Sequence, residues 1–322
     1  MINSSVLPSV WVTGANGFVG LNLCKYLYSI GFRVIPVIRA DSIKRFSLTH
    51  FTPVSLESLL SGDECCGKND VVVHCAARVH VMDDVALDPL IEFRAVNTDI
   101  TLSLAEKAAD AGVKRFIFIS SIKVNGEFTE PGSSFNADSA CSPIDPYGLS
   151  KYEAEVGLQG IAKKHGLEVV IIRPPLVYGP GVKGNFSTMM KWLNKGLPLP
   201  LGAVKNKRSF VYIGNLIDLI VTCVSHANAA NQTFLVSDDD DVSTTALLNM
   251  LAVPFDSSVK LLPVPSPFLE SLARLLGKKT IAQRLLGSLQ VDISKTKSYL
   301  DWTPPYKVNE GLKTTAQYYL NK

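Results

Sequence analysis

The chain lacks any run of about 18 uninterrupted apolar residues, so no segment is built to cross a bilayer as a helix. The stretch from Leu216 to Val224 is short and carries Asp218. Met1 to Pro8 lacks the basic and then apolar pattern of a signal peptide, and a cytoplasmic protein is expected. Cysteine is sparse: Cys24, Cys65, Cys66, Cys75, Cys141 and Cys223 form no C-x-x-C pair, and there are only 5 histidines. That pattern excludes the usual zinc sites, no metal is expected, and the thiols read as reduced. No basic helix with interleaved aromatics occurs, which argues against nucleic acid as a partner. Internal repeats and low-complexity segments are missing as well. What is abundant is apolar residue, 47% of 322, enough for a large core and more than one average domain.

The first half alternates strand and helix patterns. Val10 to Thr13, Arg33 to Ile38, Asp70 to Cys75, Arg115 to Ser120 and Glu168 to Arg173 read as strands, with a weaker one at Phe51 to Val54. Several are continuous Val/Ile runs, as strands buried on both faces require. Helical patterns follow Gly17 and span Ile100 to Ala111 and about Pro146 to His165. The alternation predicts an α/β fold, a Rossmann-type doubly wound parallel sheet with right-handed crossovers. After Arg173-Pro174-Pro175 glycine and proline become denser and the alternation fades. The division expected is 1–175 for a dinucleotide-binding part and 176–322 for a mainly substrate-binding lobe, with some segments returning to the sheet.

Gly14, Gly17 and Gly20 form G-x-x-G-x-x-G between the first strand and its helix. Such a loop turns tightly, lets backbone approach a pyrophosphate, and presents a helix N-terminus to the phosphates. Gly14, Asn16, Gly17, Phe18, Val19 and Gly20 are therefore the expected cofactor loop. An acid at the end of the second strand would hold the adenosine ribose, but Ile38 stands there and Arg39 follows. Arg39 suits a 2′-phosphate, so NADP is favoured; if Asp41 reaches the ribose instead, NAD is the cofactor.

Tyr147 and Lys151 are spaced i, i+4 on a predicted helix and share a face. An ammonium beside a phenol favours the phenolate, which lets the phenol exchange protons at neutral pH. The lysine is also suited to the nicotinamide ribose. Ser121 ends a strand upstream, where its hydroxyl can hydrogen-bond the reacting oxygen.

With Thr13 to Gly20, His74-Cys75-Ala76-Ala77, Asn97-Thr98, Ser120-Ser121, Tyr147 to Lys151, Arg173-Pro174 and Val177-Tyr178-Gly179-Pro180, the chain resembles the extended short-chain dehydrogenase/reductases along nearly its whole length. That family includes UDP-sugar epimerases and sugar-nucleotide reductases. The resemblance implies Ser121, Tyr147 and Lys151 as a catalytic triad and Asn97 as the asparagine supporting a proton relay or the active-site backbone. It implies Cys75, Ala76, Ala77 and Pro174 as further cofactor contacts, a UDP-sugar substrate and a homodimer. Asn185 and Arg208 would hold the UDP, Leu199 lies in an extended rim near uracil, His80 lines the sugar side, and Arg284 is a second phosphate ligand. Ile119 to Glu127, Pro198 to Gly202 and Gly287 to Asp292 resemble bacterial reductases acting on UDP-4-keto-6-deoxy-N-acetylhexosamines in surface polysaccharide (O-antigen) precursor synthesis.

Related dehydratases carry an Asp-Glu pair just after the active-site hydroxyl residue, where Ile122 and Lys123 stand here, so dehydration is not expected. Reduction of a carbon-4 ketone is favoured, with 4-epimerisation by tightly bound NAD as the alternative; a third reading is a non-catalytic dinucleotide binder. Net charge is +3, yet no Asp or Glu occurs from Val169 to Ile217, which holds Arg173, Lys183, Lys191, Lys195, Lys205, Lys207 and Arg208. This concentration of positive charge is expected to attract the UDP diphosphate. The run Ser237 to Asp241 is expected as a solvated turn rather than a metal site.

Overall fold

The continuous apolar runs become parallel strands covered on both faces. A computed structural model describes residues 7–79, 88–255 and 260–321. Val10–Thr13 (β1) leads into Phe18–Ser29 (α1), Val34–Ile38 (β2), Val54–Ser55 (β3), Leu56–Ser61 (α2) and Val71–His74 (β4). Pro89–Arg94 (α3), Ile100–Asp110 (α4), Arg115–Ile119 (β5), Pro146–His165 (α5) and Glu168–Arg173 (β6) follow. Then come Leu176–Tyr178 (β7), Asn185–Asn194 (α6), Phe210–Tyr212 (β8), Ile213–Ser225 (α7), Gln232–Leu235 (β9) and Thr244–Ala252 (α8). Ser266–Leu275 (α9), Lys279–Leu286 (α10), Ser294–Leu300 (α11) and Val308–Leu320 (α12) end the chain.

Seven strands form one sheet in the order β3-β2-β1-β4-β5-β6-β9, every pair parallel. This is the doubly wound Rossmann-type α/β arrangement. Val10, Val12, Val71, Val73 and Ile117 feed one apolar layer with α1 and α7. Trp11, Val72, Phe116 and Phe118 feed the other with α4 and α5. Two buried faces explain why these strands read as unbroken apolar runs rather than alternating ones. The register sets Thr13 beside His74 and His74 beside Phe118, so the carboxyl ends of β1, β4 and β5 share one edge.

The second half does not stay apart. Leu216, Ile217, Leu219 and Ile220 of α7 lie in the sheet's own core, and β9 is its last strand. A third apolar cluster gathers Tyr178, Phe186, Met189, Leu193, Phe210, Leu247, Leu251 and Leu312 around α6, α8 and α12.

Two local expectations need correction, and one expected helix has a helical extension before it. The strand expected at Phe51 to Val54 is only Val54–Ser55. The helix expected at Ile100 to Ala111 is α4, Ile100–Asp110, and the helical path before it begins at Pro89, where Asp88 caps α3 through Leu90 N–H and a π-helical turn, Ala95–Asp99, joins α3 to α4. The acidic run is not a solvated turn at its start. Asp238 is buried and accepts hydrogen bonds from Tyr178 Oη, Tyr212 N–H and Asn215 Nδ2, each at 2.7 Å. It ties β7, β8 and α7 together, and burial pushes its carboxyl above the ordinary range.

Candidate active site

The glycine loop occupies the carboxyl end of β1. Gly14 has φ +65°, and a Cβ on it would lie 2.7 Å from Ala76 N. A Cβ on Gly20 would lie 2.4 Å from Gly14 O, so these two glycines are required by packing. Gly17 is looser, its added Cβ meeting Gly14 O at 3.1 Å. Helix α1 has no side-chain cap and no acid in its first turn. Asn16 and Gly17 are exposed and Phe18 and Val19 half-buried there. An uncapped helix start with bare glycine backbone before it fits a dinucleotide pyrophosphate.

Neighbouring strand ends complete the edge. Thr13 Oγ1 accepts from Ala76 N–H at 3.3 Å and contacts His74 Nδ1 at 2.7 Å, while His74 Nε2 meets Thr101 Oγ1 at 3.0 Å. Burial and the Lys151 charge pull His74 down to about 3, so the ring is neutral and structural. Cys75, Ala76 and Ala77 follow β4 beside Gly14, and burial pushes the Cys75 thiol far up. Pro174, just after β6, accepts from Ile122 N–H at 2.9 Å and so fixes the turn that carries Ser121. Arg39 is 70% exposed and only 3.8 Å from Asp41, whereas Ile38 faces the core.

The Ser121 hydroxyl acts on the Tyr147 phenol in the direction of phenolate, and Phe93 packs edge-on against the Tyr147 ring at 6.0 Å between centroids. Gly148 allows this approach: a Cβ there would stand 2.8 Å from Lys123 O, in the turn that follows Ser121. Asp145 caps α5 through Gly148 N–H at 2.7 Å and forms an ion pair with Lys123, which also reaches Glu127 at 2.7 Å. A carboxylate does therefore lie near Tyr147, which the comparison of positions 122 and 123 alone passes over. It is held by an ammonium and a helix cap.

Lys151 is buried, donates to Ile119 O at 2.9 Å and sits 4.4 Å from the centroid of the Phe118 ring. Here the expected tuning needs correction. Burial pushes the Tyr147 phenol up to about 12, and it pulls Lys151 down to about 7. The lysine is anchored on a carbonyl and an aromatic face, and desolvation removes part of its charge. Asn97 sits in the π-helical turn. Its Oδ1 accepts from Arg78 N–H at 2.8 Å, and its Nδ2 donates to Arg78 O at 3.1 Å and Ser150 Oγ at 3.0 Å. Of the two roles expected for it, these bonds serve the backbone: they lock the segment after β4 to α5. A π turn at a functional position is a recurrent use of that irregularity.

Glu155 is the residue that sequence reasoning missed. It continues the face of Tyr147 and Lys151 at the next i+4 step, and that spacing was its signal. Its carboxylate accepts from Ser120 Oγ at 2.5 Å and from Arg173 at 2.5 and 3.0 Å. Arg173 also reaches Asn125 Oδ1 at 3.1 Å and Cys141 Sγ at 3.3 Å. Its charge is thus engaged inside the protein, and Arg173 drops out of the anion-attracting set.

In the second half, Asn185 is the exposed first residue of α6, after Gly184 at φ +68°. Leu199 is buried, pairing its backbone with Lys260 and Leu262. Arg208 donates to Gly287 O at 3.0 Å, and burial plus the nearby Arg284 charge lower its pKa. Two guanidiniums that disfavour each other in this way suit an anion between them. His80 lies outside the described residues. Among the described residues no cluster of His, Cys, Asp and Glu could hold a metal, and no helix is long and apolar enough to cross a membrane.

Residues 10–237 match the NAD dependent epimerase/dehydratase family. The chain belongs to that family. It is 48% identical to a UDP-glucose 4-epimerase of Vibrio cholerae over 97% of this chain and 95% of the relative. Its fold is that of Bordetella bronchiseptica WbmG in complex with NAD, with TM-score 0.78 and 20% identity over 100% of this chain and 96% of the other. It is also that of a Thermotoga maritima UDP-glucose 4-epimerase with UDP-glucose, with TM-score 0.75 and 22% identity over 97% and 99%. As a member of this family the protein is an NAD-dependent nucleotide-sugar enzyme. The Vibrio relative favours 4-epimerisation over the carbon-4 reduction preferred from sequence alone.

Proposed function

We propose that the protein is a UDP-hexose 4-epimerase that keeps NAD bound through turnover. The observation that carries this reading is the action of Ser121 on the Tyr147 phenol at the same sheet edge as the glycine cradle, in a chain so similar to the Vibrio epimerase. Residues 1–175 supply most of the cofactor site and 176–322 mainly the nucleotide-sugar site, in a homodimer.

In this reading the glycine loop and the start of α1 hold the pyrophosphate, and Cys75 to Ala77 and Pro174 flank the cofactor. A bound NAD would supply the group that accepts and returns a hydride at carbon 4. Tyr147 accepts the proton of the 4-hydroxyl as the ketone forms and gives it back after the sugar has turned over in the site. Ser121 hydrogen-bonds the reacting oxygen, Lys151 holds the ribose, and Asn97 keeps the backbone behind them in place. Arg208 and Arg284 grip the diphosphate, with Asn185 and Leu199 beside the uridine. The Lys123 pairing with Asp145 and Glu127 leaves no carboxylate for eliminating water, which supports epimerisation over dehydration.

The test is incubation of purified protein with UDP-glucose and no added cofactor, read by anion-exchange chromatography. UDP-galactose is expected. A protein inert there that adds two hydrogens to a UDP-4-keto-6-deoxy sugar with NADPH is instead the reductase, the reading that Ile38 and Arg39 favour.

The glycines separate cofactor retention from folding. Gly17→Ala is expected to fold, since its Cβ meets only Gly14 O at 3.1 Å, yet to lose most co-purifying dinucleotide. Gly14→Ala, strained at φ +65° and 2.7 Å from Ala76 N, is expected to lower the melting temperature as well. Released nucleotide at 260 nm and thermal unfolding check the two outcomes.

A further inference from the structure

Helix α9 is amphipathic and has no buried residue. Phe268, Leu272, Leu275 and Leu276 recur at i, i+4, i+7 and i+8, so they form one stripe. Leu275 is 83% exposed, and Phe268, Leu276 and Ile281 are each more than half exposed. Glu270, Ser271 and Arg274 lie on the other side of the helix. Between α9, α10 and the Leu197 to Leu201 rim runs an apolar groove of about 630 Å³.

The charges around this patch are almost all positive. Lys278 and Lys279 stand at the end of the stripe and Lys260 pairs with the rim at Leu199, while Arg274 and the single acid from Lys260 to Ile281, Glu270, lie across the helix. Trp192 of α6 lines the same groove, and Lys191 and Lys195, in that helix and just after it, are exposed. A second copy of this chain would bring the same positive rim against itself. A surface that is apolar in the middle and cationic at the edge is instead complementary to an anionic lipid bilayer.

We propose that the α9–α10 hairpin docks on an anionic membrane surface. Leu275, Leu276 and Phe268 enter the boundary between headgroups and acyl chains. Lys278 and Lys279, at the turn between the helices, lie at headgroup level with Lys191 and Lys195. The docking is peripheral: α9 has 10 residues and no described helix is a candidate span. It does not depend on which sugar reaction the site performs.

The experiment is sedimentation of the full chain with sucrose-loaded vesicles. Phosphatidylcholine vesicles containing phosphatidylglycerol are compared with phosphatidylcholine alone, at low and high salt. The protein is expected to pellet with the anionic vesicles only, and less as salt rises. Leu275→Ser with Leu276→Ser, and separately Lys278→Ala with Lys279→Ala, are expected to weaken partitioning about tenfold or more. All four side chains are solvent-exposed, so unfolding temperature should hold in both variants. Equal pelleting by parent and variants, or none with anionic vesicles, overturns the proposal. So does light scattering in which the leucine variant dissociates a parent oligomer, because a second copy then covers the patch.

Discussion

Tyr147→Phe is expected to lower epimerase turnover by about 100-fold or more, the scale for losing a general acid–base group. The substitution removes one oxygen and keeps the ring against Phe93, so the T-shaped contact and the cap of α5 by Asp145 persist. Substrate affinity and bound dinucleotide should therefore change little, and the loss should fall on kcat. The phenol stands at about 12 because burial penalises phenolate, with Ser121 as the group that opposes the rise. A buried phenol is a strong proton acceptor once ionised but is seldom ionised near neutrality. Parent activity should thus rise with pH across the alkaline range, and the residual activity of the variant should not follow it. Steady-state kinetics against pH checks both, and near-parental kcat in the variant would falsify the assignment of Tyr147 as the proton-transfer group.

Glu155→Ala is expected to be the most damaging substitution for stability. Glu155 and Arg173 are 2% and 6% exposed in their side chains and meet at 2.5 Å. Removing the carboxylate leaves a guanidinium buried without its counter-charge, which costs about 3–5 kcal/mol. A fall in melting temperature on the order of 10 °C follows, measured by calorimetry. Ser120 Oγ loses its acceptor too, at the strand end next to Ser121. Glu155→Gln keeps the volume and some hydrogen bonds and should fall between the two. Removing Arg173 as well should recover part of the loss, because the orphaned charge goes with it.

How far the site was legible differs residue by residue. Gly14 and Gly20 could be read because the steric demand of a turn against a neighbouring strand is local and only glycine meets it, and Gly17 could be read from its spacing between them. Tyr147 and Lys151 could be read because helical spacing alone puts them on one face. Asn97 could be matched by family resemblance, but its π turn could not be read, since one inserted backbone hydrogen-bond shift leaves no periodic trace. Arg173 was misread as free positive charge because its partner Glu155 is close in space but belongs to another element. Asp238 was misread for the same reason: its three donors come from residues 178, 212 and 215.

Short-range periodicity, burial and turn sterics, all written along the chain, set the sheet, the glycine loop and the tyrosine–lysine pair. Folding alone settles which charges are spent inside the protein, that Lys151 rests on Ile119 O and Phe118, and that the Arg284 charge acts on Arg208. Those outcomes turn on desolvation and on partners distant along the chain, and neither is encoded in the spacing of residues.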